Sequence, residues 1–88
     1  MNPFLVKINA PYIGQHGWTA WCQHSLILVL GCISSQEVEE KIVPYLPPED
    51  PEVKKQLLLQ DKREKYYDIK ITPLLGENGI FKIPAGAI

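Results

Sequence analysis

Eighty-eight residues, 45% hydrophobic and 22% charged, describe one ordinary folded domain spanning 1–88 and exclude a disordered chain. Nine Lys and Arg face ten Asp and Glu, a formal net charge of −1, so the overall charge draws the chain to neither nucleic acid nor anionic membrane. A domain this small holds one modest core and has little room for an enclosed active site.

Residues 3 to 10 read as a strand. Phe4, Val6 and Ile8 alternate with Leu5, Lys7 and Asn9, and Pro3 and Pro11 bracket the run. Residues 11 to 24 lack a clean period and contain Pro11, Gly14 and Gly17. They read as an irregular loop, and loops of this length in compact domains are often functional. Residues 25 to 33 are apolar from Leu26 onward and include β-branched Ile27, Val29 and Ile33. That suits a strand buried on both faces, with a buried helix as the rival reading. The run is far short of the about 20 residues that span a bilayer.

Ser34-Ser35-Gln36-Glu37 is a capping box, with a serine oxygen for a free helix N–H and a glutamate three residues on. The helix behind it puts Val38, Ile42 and Tyr45 or Leu46 on one face and ends near Val43, because Pro44 cannot donate. Asp50-Pro51 starts a second helix, with Asp as cap and Pro at the first position. This helix carries Val53 and Leu57 and runs on through the polar stretch to Lys65. Tyr67, Ile69 and Ile71 alternate with Asp68, Lys70 and Thr72 as a strand. Asn78-Gly79 is a hairpin turn, and Ile80 to Pro84 is the returning strand.

Strand, long loop, strand, helix, helix, strand, strand is an α+β order. It predicts a mainly antiparallel sheet of about four strands with two helices packed on one face.

Charge is unevenly placed. Residues 1 to 36 carry one charged side chain, Lys7, while residues 37 to 70 carry sixteen. Depletion of charge where Tyr and Trp are present marks an interface core, although the same third also supplies the protein's own core.

Four metal-ligating side chains fall close together, His16, Cys22, His24 and Cys32. Structural zinc takes four such ligands in a tetrahedron. Extended chain would set Cys22 and Cys32 about 33 Å apart, and no paired-cysteine knuckle is present. No metal or cofactor is therefore expected. A Cys–His nucleophile lacks an acidic neighbour to orient its base within residues 1 to 36, so no catalytic residue is assigned. The Gly14-Gln15-His16-Gly17 spacing contains no Lys or Arg and is not read as a nucleic-acid loop. Three strands centre on lysine between apolar residues, at Lys7, Lys70 and Lys82. In one sheet they would share a face, as a contact for an acidic partner or as routine protection of a wet face. Tyr12, His16, Trp18 and Trp21 lie in the aromatic loop, and Tyr and Trp are frequent interface anchors.

The leading expectation is a small non-catalytic interaction or regulatory module. It binds a protein, or itself as a homodimer, through Tyr12, His16, Trp18 and Trp21, with Lys7, Lys70 and Lys82 as further contacts. The alternatives are a nucleic-acid binder using the lysine row and a Cys/His thiol or metal enzyme. Two cysteines and an N-terminus without a charged start and apolar stretch suggest the cytoplasm and no membrane.

Overall fold

In the computed structural model, residues 2–88 are described. Among them the chain forms β1 (Phe4–Ile13), β2 (Thr19–Val29), α1 (Ser35–Ile42), α2 (Pro51–Gln56), β3 (Asp68–Pro73), β4 (Leu75–Glu77) and β5 (Ile80–Lys82). A 3-10 turn, Val43–Tyr45, follows α1, and a π-type turn, Leu57–Asp61, follows α2. The class is α+β, as the order of elements predicts. The strands form an antiparallel three-stranded sheet in the order β2-β1-β3 and a separate β4-β5 pair.

The stretch 11–24 is strand at both ends and not an irregular loop. Pro11, Tyr12 and Ile13 continue β1, and Thr19 opens β2 opposite Ile13. Pro11 is tolerated because β3 pairs with β1 only from Phe4 to Asn9. Beyond Asn9 one edge of β1 has no ladder partner among the described residues, and a missing N–H costs nothing there. The turn itself is closed by Gly14 N–H donating to the Trp18 carbonyl at 2.9 Å, with Gly17 at φ 76.

The apolar run at 25–33 also differs from its reading. It is neither a helix nor a doubly buried strand. Strand β2 ends at Val29, Gly31 turns the chain at φ 81, and β2 lies at the sheet edge. Ile27 and Val29 are half-buried, while Leu26 and Leu28 face outward. The central strand is β1, because β3 returns to its far side.

Among the described residues, three apolar clusters hold the molecule. In the first, Val38 and Ile42 of α1 pack with Cys32 on Val6 and Ile8, flanked by Ile27, Val29, Ile69 and Ile71 from the neighbouring strands. Each fully buried aliphatic side chain there contributes about 1.5–3 kcal/mol. In the second, Leu5 on the opposite sheet face packs with Leu74, Ala87 and Phe81. In the third, Val53 and Leu57 close on Tyr66 with Trp21 and Tyr67 against them. The radius of gyration is 15.2 Å and the extents 49 × 24 × 18 Å, whereas a compact chain of this length has a radius of about 12 Å.

Local signals account for the helix starts. Ser34 Oγ accepts from Glu37 N–H at 3.3 Å, and the Glu37 carboxylate reaches back to Ile33 N–H at 3.0 Å. Asp50 caps α2 by accepting from Glu52 N–H at 2.9 Å. The second helix does not reach Lys65. It widens after Gln56 and stops where Lys62 takes the left-handed conformation at φ 55. The returning strand is also shorter than read, ending at Lys82. Among the described residues, no helix is long and apolar enough to cross a membrane.

Candidate interaction surface

The β1–β2 hairpin divides the aromatic residues into two roles. Trp21 is half-buried against the Val53–Leu57–Tyr66 cluster, and the Arg63 guanidinium lies 4.4 Å from its ring centre. Trp21 is thus packed on the core side of the hairpin. Trp18 sits at the hairpin tip and is 69% exposed, with exposed Tyr12 and Ile13 close by in β1. His16 is exposed in the same turn.

The tip is braced by the π-type turn. Gln60 accepts from Thr19 N–H at 3.0 Å through Oε1 and donates to the Gly17 carbonyl at 2.8 Å through Nε2. Thr19 Oγ1 donates to Asp61 Oδ2 at 2.6 Å. These bonds satisfy turn groups that water would otherwise hold, and they fix the backbone that carries Trp18. A fixed aromatic loses less freedom on binding than a mobile one. Gln60 and Asp61 were not legible as site residues, because their partners lie about forty positions earlier.

The lysine row separates. Lys7 and Lys70 are direct cross-strand neighbours in β1 and β3, but Lys82 lies in β5, which pairs with β4 in the other sheet. A common sheet face for all three therefore does not exist. Lys70 Nζ also donates to the Gly86 carbonyl at 2.6 Å, so it ties the C-terminal segment to β3.

A further apolar feature lies along the outward face of β2. Leu26, Leu28 and Leu30 are all exposed, while the intervening Ile27 and Val29 face α1 and are half-buried. The alternation of leucine with β-branched residues was the available signal. Continuous apolarity masked it.

The possible chemical centres are dispersed. Cys32 is buried under α1, Cys22 is exposed on β2, and His24 Nδ1 lies 2.6 Å from Ser25 Oγ. Among the described residues no three His, Cys, Asp or Glu side chains converge as metal ligands. A concavity of about 360 Å³ lies between α1 and the segment before β3, lined in part by Glu39, Arg63 and Tyr67. Its arginine is already engaged, donating to the carbonyls of Lys65 at 2.7 Å and Tyr67 at 3.2 Å.

No family model matches the chain, and neither a curated protein nor a solved structure matches it at a significant level.

Proposed function

We propose that the protein is a small interaction or regulatory module of the cytoplasm. It performs no chemistry and binds a protein partner, a second copy included, through its nearly charge-free N-terminal third. The observation that carries this reading is Trp18, 69% exposed on a turn whose backbone is held by Gln60. A large aromatic, rigidly presented on a turn that carries no charged side chain of its own, fits a pocket on a partner with little ordering cost. Tyr12 and Ile13 extend the contact, and His16 supplies polar groups at its rim. Trp21 supports the contact from behind.

Affinity capture from the native host tests the reading, using tagged wild-type protein beside Trp18→Ala and Lys55→Ala. The expected result is a partner retained by wild type and Lys55→Ala and lost from Trp18→Ala, all three unfolding at one temperature. Equal capture by Trp18→Ala would overturn the tip as the binding site.

A further inference from the structure

We infer that the outer edge of β2 pairs with the same edge of a second copy, joining two three-stranded sheets into one antiparallel sheet across a twofold axis. The inference rests on the reading of the charge-free third as a contact surface, and it does not depend on the hairpin tip.

Strand β2 is long and lies at the sheet edge, and among the described residues nothing pairs with its outer side. Edge strands are normally blunted by lysine, proline or short length. Thr19–Val29 contains no charged residue and no proline across 11 residues. The opposite edge, β3, is blunted, with Asp68 and Lys70 exposed and Pro73 at its end. With the β3 edge blunted, an isologous contact uses the open edge of β2 in both copies and stops at two.

The segment is also self-complementary. Antiparallel pairing centred on Leu28 sets Leu26 of one copy opposite Leu30 of the other, and Ile27 opposite Val29. Like meets like at a twofold, so a charge near the axis would repel itself. Strand β2 supplies none, and the charges nearest in space, Lys7 as the cross-strand partner of Leu26 and Lys41 on α1, lie beside the paired edge and not on it. Beside β2, a groove of about 300 Å³ runs between Ile27–Leu30 and the side chains of Lys41, Ile42 and Tyr45. It can receive the β-branched side chains of the second copy.

Leu26, Leu28, Leu30 and Tyr45 are 41%, 57%, 67% and 65% exposed. At roughly 100–200 Å² for each whole side chain, they offer roughly 300 Å² of apolar surface per copy. Doubled and joined by the backbone edge, this falls short of the about 1,000 Å² of a lasting interface. The dimer is therefore reversible and weak.

Sedimentation equilibrium from about 10 μM to about 1 mM, the range in which such contacts form, reads it directly. The expected result is a concentration-dependent rise above the 10.0 kDa monomer. Leu28→Lys should weaken that dimer at least about tenfold, and Trp18→Glu should leave it unchanged. Leu26→Lys serves in its place if Leu28→Lys loses the native circular dichroism. Amide hydrogen exchange in residues 26–30 should slow as concentration rises. A monomer across the whole range overturns the inference, as does a dimer that survives the lysine variants. A dimer lost with Trp18→Glu alone would also overturn it, while leaving the tip reading intact. Where both kinds of variant weaken the dimer, slowed exchange along 26–30 supports the edge contact and its absence there overturns it.

Discussion

Arg63 and Trp21 form a stacked pair, the guanidinium 4.4 Å from the ring centre, and the arginine's own N–H groups are spent on the carbonyls of Lys65 and Tyr67. One side chain thereby fixes the irregular segment before β3 against the hairpin. A fourth contact, to Asp68 at 3.9 Å, is largely exposed and adds little.

Arg63→Lys keeps the charge and loses the planar fork. It should destabilise the fold by about 1–2 kcal/mol, from the stacking and hydrogen bonds removed. Urea unfolding followed by Trp fluorescence measures it. A loss within a few tenths of a kcal/mol would show the pair to be incidental.

Tyr67 gives a pH dependence of definite sign. Burial, with the nearby Glu49 charge and then Tyr66, raises its phenol above the ordinary value of 10.0. The folded state then holds that proton more tightly than the unfolded state. The resulting stability is fully present below about pH 10 and is lost as pH rises through the folded value. Tyr67→Phe should remove that part of the alkaline loss. At neutral pH it should cost about 1 kcal/mol, because the hydroxyl no longer donates to the Pro47 carbonyl. Thermal melts of both proteins across the alkaline range check both effects. An identical alkaline slope in the two proteins would refute the assignment.

The two thiols should react at different rates. Cys22 is exposed on β2, whereas Cys32 is 1% exposed beneath α1. A colorimetric thiol reagent should find one fast cysteine in the native protein and both after denaturation. Two fast equivalents in the native state would mean that the α1 cluster opens readily.

Signals confined to a few neighbouring residues were legible. Ser34 with Glu37, Asp50 with Pro51, and the Asn78-Gly79 turn each specify local backbone geometry, and the structure has all of them. Relations between distant segments were not legible. Whether Leu26 and Leu28 face solvent depends on β3 choosing the far side of β1, and β3 lies some forty residues downstream. Pro11 reads as a strand breaker until the free edge of β1 beyond Asn9 is known. Lys82 matches Lys7 and Lys70 in pattern, yet the tight Asn78-Gly79 turn pairs its strand with Leu75–Glu77 instead. The site showed the same division. The aromatic residues of 12–21 were visible in the chain, but which tryptophan is wet was decided by Arg63 and Leu57.

The three apolar clusters do not merge, so the molecule need not open as a single block. Amides around Val6 and Ile8, enclosed by strands on both sides and α1 above, form its slowest-breathing part. The β4–β5 arm leans on Leu5 through Leu74, Phe81 and Ala87 and lies outside the three-stranded ladder, so its opening need not unzip β1 from β2. Proteases sampling the native protein should therefore nick this arm while the hairpin and its braced tip persist.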